Sequence, residues 1–245
     1  MRPLSLAALV SVVFLSTARA ADDGWIDLSS GPKALEAWAA PTGDWFLADS
    51  VEVSPQNPKL LVGKPGQGIL VNGPTGRTND ILSKEKYADL ETHFEFMIPK
   101  GSNSGVKFMG LYEVQIFDSH DAKKLTGSDC GGIYPRAELF PRYHHIDEGS
   151  PPKVNACKPA GEWQTLDVVF RAPRFAADGT RTASARFVKV VLNGTVIHED
   201  EDVLYPTGHA WRLSREVARG PLLLQADHGP VAFRNIRIRP MEIAK

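Results

Sequence analysis

Glu113 and Gln115 stand two residues apart in the run Tyr112-Glu113-Val114-Gln115-Ile116-Phe117. Strand alternation puts both on one face, opposite Tyr112, Val114 and Ile116. A carboxylate accepts or moves a proton, and an amide both donates and accepts hydrogen bonds. The pair therefore suits a hydroxyl-rich ligand, although a solvated sheet face would read the same way. A second polar row lies in Leu222 to His228: Leu222, Leu224 and Ala226 have core parity, Leu223, Gln225 and Asp227 oppose them, and His228 falls at the turn. Arg234 shares parity with the apolar Ile236 and Ile238, which leaves two readings, a bulge that re-aims it or a cation lining a cleft. His144, His145, Asp147 and Glu148 cluster on a loop, but their spacing matches no standard metal motif, so surface histidines are the plainer reading. No cofactor is predicted; a divalent metal held by Glu113, Asp118 and the histidines stays open.

The elements around these residues are strands. Leu90 to Ile98 and Thr165 to Arg171 alternate apolar with polar residues, and Ala185 to Ile197 reads as a hairpin about Asn193-Gly194. Pro221 to Pro240 reads as a strand, a turn at His228-Gly229-Pro230, and a final strand. Lys33 to Trp38 allows one short helix. Many short strands with frequent turns need two sheets to bury their apolar faces, so the expected fold is an all-β antiparallel sandwich formed by a single domain over residues 21–245. Residues 119–160 break the rhythm and are expected to be an ordered loop insertion at the rim of a site.

Arg2, an apolar run from Leu4 to Leu15 and the small-residue site Ala18-Arg19-Ala20 read as a secretory signal peptide cut after Ala20. The expected location is periplasmic or secreted, with no membrane insertion. An oxidising compartment favours a disulfide between Cys130 and Cys157. The 245-residue chain carries 28 Lys+Arg against 29 Asp+Glu. Removal of Arg2 and Arg19 leaves 26 against 29, a charge of −3. Nucleic-acid partners need a basic excess that this chain lacks. The sequence carries no signature of an oligomeric state.

Together these pieces resemble the 3-keto-disaccharide hydrolase family, exported domains with a concanavalin A-like jelly-roll fold. The likeness runs through Gly24-Trp25-Ile26-Asp27-Leu28, Asn103-Ser104-Gly105, Tyr112 to Ile116 with Asp118, and Gly132-Ile133-Tyr134. It continues through Lys158 to Trp163, Asn193-Gly194, Leu224-Gln225, His228-Gly229 and Phe233 to Ile238. The family commonly has Arg where this chain has Lys107, which replaces a planar fork with a point charge. The resemblance implies a small carbohydrate substrate, a glycoside already oxidised to a ketone at C3. Such a ketone acidifies the C2 proton, so a base removes it, the C1 substituent leaves, and water adds. On that reading Glu113 or His228 serves as base and acid, while Lys107 and Gln115 stabilise the enolate. Asp118 orients a neighbour or is a second carboxylate, and Asn103, Tyr134, Trp163, Gln225, Arg234 and His144 surround the sugar. Two alternatives remain: an ordinary glycoside hydrolase, whose paired carboxylates stand about 5 Å or about 6.5–9.5 Å apart, and a non-catalytic carbohydrate-binding domain.

Overall fold

In the strand Leu90–Met97, alternation buries Leu90, Thr92, Phe94 and Phe96 and turns Glu91, His93 and Glu95 outward. The strand Gln164–Arg171 repeats the pattern and pairs with it antiparallel, Leu166 opposite Phe94. A computed structural model describes residues 24–242, so the signal-peptide expectation falls outside the described residues. The architecture is the expected antiparallel β-sandwich, a jelly roll.

The larger sheet runs in the order Thr195–Val203, Ala185–Leu192, Gln164–Arg171, Leu90–Met97, Ala232–Pro240, Leu61–Val71 and Phe46–Val53, with Ile26–Asp27 beside Ala232–Pro240. The smaller sheet runs Ile81–Tyr87, Gly220–Leu224, Asn103–Phe108 and Tyr112–Phe117. One buried cluster joins them: Phe94, Phe170, Phe187 and Phe233 from the larger sheet meet Val106, Phe108, Tyr112, Val114 and Leu224 from the smaller. The Phe108 ring lies 5.1 Å from that of Phe170 and 5.4 Å from that of Phe187. Aromatic pairs at such spacing add to the burial that drives the sheets together.

Several local expectations hold. Asn193 and Gly194 both have positive φ, as the tight hairpin between Ala185–Leu192 and Thr195–Val203 requires. The short helix is a single 3₁₀ turn, Ala34–Ala37. The paired strands Phe46–Val53 and Leu61–Val71 are findings that alternation does not reveal. Gly63, Pro65, Gly66 and Gly68 interrupt the period in the second, and their register shifts at Ala48.

Arg234 resolves in favour of the bulge. The register of Ala232–Pro240 against Leu90–Met97 shifts between Arg234 and Arg237, and Asn235 there has a φ of 48°. The extra residue flips parity, so Ile236 and Ile238 stay buried while Arg234 points outward to Glu95, Nε to Oε2 at 2.7 Å.

The insertion is ordered by the sheet it borders. Gly131 to Tyr134 runs antiparallel along Tyr112–Phe117: Gly131 N–H donates to Gln115 O at 2.8 Å, Gln115 N–H to Gly132 O at 2.8 Å, and Tyr134 N–H to Glu113 O at 3.1 Å. Ile133 and Ser150 then exchange two backbone bonds of 2.9 Å. The insertion thus widens the smaller sheet beyond Glu113. Cys130 and Cys157 are both buried as free thiols, Cys157 Sγ donating to Phe117 O and Lys158 O, so the disulfide expected between them is not formed in the structure.

Candidate active site

The smaller sheet presents its outer face as a lattice whose rows follow from register. Lys107 lies between Leu223 on one neighbouring strand and Glu113 on the other. Tyr134 continues that row beyond Glu113 through the insertion. One step along, Gly105 lies opposite Gln115, and on its other side Gln225 N–H donates to Gly105 O at 2.9 Å. Asn103 pairs with Phe117 in the row after that. Period-2 geometry fixes these side chains on one face because Val106, Val114 and Leu224 are committed to the core.

Glu113 is not a solvated face residue; it is 2% exposed, under the cover that the insertion supplies. Its carboxylate lies 3.3 Å from Lys107 Nζ. Burial pushes the Glu113 carboxyl above the usual range, Lys107 opposes the shift, and Asp80 adds to it. Burial works against the Lys107 charge, but Glu113, Asp80 and Asp227 outweigh it and hold the ammonium above its ordinary value. Asp80 is itself raised, chiefly by burial, although its Oδ1 accepts the Ala226 N–H at 2.8 Å. His228 acts electrostatically on both Glu113 and Asp80, and its Nδ1 is hydrogen-bonded to Asp227 Oδ1. A carboxylate on one ring nitrogen fixes the tautomer and leaves Nε2 for proton transfer.

Two glycines make this packing possible. A Cβ on Gly105 would collide with Glu113 Oε1, so only glycine leaves the carboxylate its place. A Cβ on Gly229 would meet Ser102 Oγ and the Asn103 N–H, so the turn that carries His228 could not sit against the Asn103–Phe108 strand.

The insertion supplies an aromatic wall. The Tyr134 hydroxyl lies 3.1 Å from the Tyr143 hydroxyl and 3.0 Å from His145 Nε2, with the His145 ring edge-on to both tyrosines. Burial and the Tyr143 bond keep Tyr134 protonated well beyond the ordinary phenol range, and the Glu113 charge pushes the same way. Burial pulls His145 down toward the neutral form.

The structure thus brings together Lys107, Glu113, Gln115, Asn103, Tyr134, Gln225 and His228. It does not bring in the other four residues. Asp118 lies beyond the end of its strand and accepts the Gly101 N–H at 2.7 Å. Trp163 and Arg234 lie on the outer face of the larger sheet, where the guanidinium carbon stands 4.0 Å over the indole. His144 is exposed, its Nδ1 2.9 Å from Arg142 O, while its neighbour His145 points to Tyr134. Sequence reasoning missed Asp80, Tyr143 and the role of Asp227. Asp227 has the parity of Gln225, which was the available signal; Asp80 precedes its strand, and no pattern there marks it. Among the described residues no group of three or more His, Cys, Asp or Glu is arranged to hold a metal ion. No helix among them is long and apolar enough to cross a membrane.

Fold and site together give an all-β jelly roll with a buried acid–ammonium pair on one polar sheet face. The chain belongs to the family of 3-keto-alpha-glucoside-1,2-lyase-like domains, whose model matches residues 24–239. Among solved structures, the chain is similar to a protein of Parabacteroides distasonis ATCC 8503 provisionally named a glycosyl hydrolase, at 26% identity and a TM-score of 0.62, over 89% of this chain and 84% of that one. A second protein from the same organism, with the same provisional name, matches at 20% identity and a TM-score of 0.56, over 89% of this chain and 99% of that one. No curated protein matches the chain.

Proposed function

We propose that the protein is an exported enzyme that cleaves 3-keto-glycosides, 3-keto-disaccharides among them, by abstraction of the C2 proton, elimination across C1–C2 and hydration of the product. The observation that carries this reading is the pairing of Glu113 with Lys107 on a sheet face that also holds the amides of Asn103, Gln115 and Gln225 and the His228–Asp227 pair. The family's description as a 3-keto-alpha-glucoside-1,2-lyase-like domain supports it.

A ketone at C3 needs a cation where the enolate oxygen forms and a base beside C2. Lys107, held charged by three carboxylates, supplies the first. Glu113, 3.3 Å away, supplies the second, and its raised pKa makes it a stronger base than an ordinary carboxylate. The C2–H bond breaks toward Glu113, a C1–C2 double bond forms, and the C1–O bond breaks. The departing oxygen needs a proton, which Tyr134 or the Asp227-oriented His228 donates. Water then adds at C1 and a proton returns to C2, giving net hydrolysis.

The test pairs a 3-keto-glucoside with its unoxidised parent. Wild type should cleave only the ketone, and Glu113→Gln should lose about 10²–10⁴-fold in rate. Cleavage of the unoxidised parent would move the protein to the ordinary glycoside hydrolases. Binding of either sugar with no product would make it a binding domain.

A further inference from the structure

The row Lys107, Glu113, Tyr134 crosses three neighbouring segments of the smaller sheet. Its order is ammonium, carboxylate, phenol. The proposed elimination needs the same order along the sugar: a cation at the C3 oxygen, a base at C2 and an acid at the C1 oxygen. His228 follows the strand Gly220–Leu224, on the far side of Lys107 from Tyr134, so the phenol is the acid that adjoins the base. A phenol that gives up a proton must regain one. The Tyr134 hydroxyl has two partners, the Tyr143 hydroxyl at 3.1 Å and His145 Nε2 at 3.0 Å. A second phenol only passes the need along, whereas an imidazole gives a proton from one nitrogen as it takes one on the other. His145 is exposed, and among the described residues no partner bonds its Nδ1. The rings of Tyr134 and Tyr143 meet it edge-on, with centroids 5.2 and 5.7 Å away, and fix the Nε2 edge toward Tyr134. Asp147, the carboxylate that acts on His145, is itself committed to Arg136 at 2.7 Å. The imidazole therefore stays neutral and carries the single proton that a relay passes on.

We propose that Tyr134 is the acid that protonates the leaving oxygen at C1 and that His145 is the relay connecting Tyr134 to solvent. The proposal rests on the elimination and hydration given above. In the elimination the C1–O bond breaks and the leaving oxygen takes the Tyr134 hydroxyl proton. Tyr134 then takes the Nε2 proton of His145, and Nδ1 takes a proton from water. In the hydration the path runs in reverse. The water that adds at C1 gives a proton to Tyr134, Tyr134 gives one to Nε2, and Nδ1 returns one to solvent. Glu113 takes a proton from C2 in the first step and gives one back in the second, so the enzyme ends each cycle as it began. His145 touches no substrate atom and acts through Tyr134 alone. The need for it rises with the basicity of the leaving oxygen, because an alkoxide leaves only with a proton.

The experiment reads release of the C1 substituent in a single turnover from two 3-keto-glucosides. One is the methyl glycoside, which loses an alkoxide; the other is the 4-nitrophenyl glycoside, whose phenolate leaves without a proton. His145→Phe should slow the methyl substrate about 10²-fold and leave the 4-nitrophenyl substrate near the wild-type rate. Tyr134→Phe should show the same split. His144→Phe, on the same hairpin, should match wild type on both substrates. Added imidazole should restore methanol release to His145→Ala and not to Tyr134→Phe. Equal rates in wild type and His145→Phe overturn the relay and leave the elimination standing. A loss of one size on both substrates that imidazole does not relieve does the same. Failure of wild type to cleave either substrate removes the elimination, and the relay with it.

Discussion

Lys107 sits among Glu113, Asp80 and Asp227, and that excess of acid over base governs how the site responds to pH. In the proposed role of base, Glu113 must be ionised. Its carboxyl is raised, so kcat/KM should fall on the acid side at a pH above the usual carboxylate range. Asp80 raises Glu113 and Lys107 lowers it. Removing the Asp80 charge with Asp80→Asn should move the acid limb to lower pH, and Lys107→Met should move it higher while the rate drops. A pH–rate profile of the three proteins checks both signs. An acid limb that stays put in Asp80→Asn would separate Asp80 from the site. The alternation of Glu113 and Gln115 is plain in the sequence, and their shared face is where the structure puts it. Their burial is not legible there, because the cover comes from residues 131–134, which no period in Tyr112–Phe117 announces.

The insertion is the element on which the site depends. Ile133 is 2% exposed, pairs with Val114 and exchanges bonds with Ser150, so it pins the strip that presents Tyr134. Ile133→Ala should cost about 2–4 kcal/mol of stability, from lost burial and the cavity left behind. It should also lower kcat by loosening Tyr134, whereas Ile133→Val should restore most of both. Denaturant melts and initial rates on the same preparations measure this, and a full loss of stability with unchanged kcat would show that the strip does not position the site. The sequence marks residues 119–160 as a rim, and in the structure the segment from Gly131 to Tyr134 hydrogen-bonds along Tyr112–Phe117. Which histidine faces inward was not legible. His144 and His145 alternate on a two-residue strand, and no apolar neighbour reveals the parity. Trp163 and Arg234 illustrate the opposite error: an aromatic and a cation suited to a sugar instead cover an apolar patch on the outer face of the larger sheet, Arg234 re-aimed there by the bulge at Asn235.

At the scale of the whole molecule, the two sheets divide the labour. The larger sheet carries on its outer face a series of polar side-chain pairs, among them the ion pairs Arg234–Glu95 and Arg186–Asp202 and the hydrogen-bonded His93 and Asp167. On the smaller sheet Lys107 and Glu113 stand together in the candidate site, while Lys84, Glu85 and Lys86 are exposed along Ile81–Tyr87. The sandwich class was legible because strands such as Leu90–Met97 and Gln164–Arg171 alternate cleanly, and strand order was not, because it rests on long-range pairings such as Ile26 with Ile238. The central claim is that the protein breaks the C2–H bond before it releases the C1 substituent. Cleavage of a 3-keto-glucoside in D₂O, followed by NMR over the first turnovers before spontaneous exchange, tests it most directly. Elimination followed by hydration leaves one deuterium at C2 of the released 3-keto sugar, and Glu113→Gln should give neither deuterium nor product. A released sugar that keeps its original proton at C2 would contradict it.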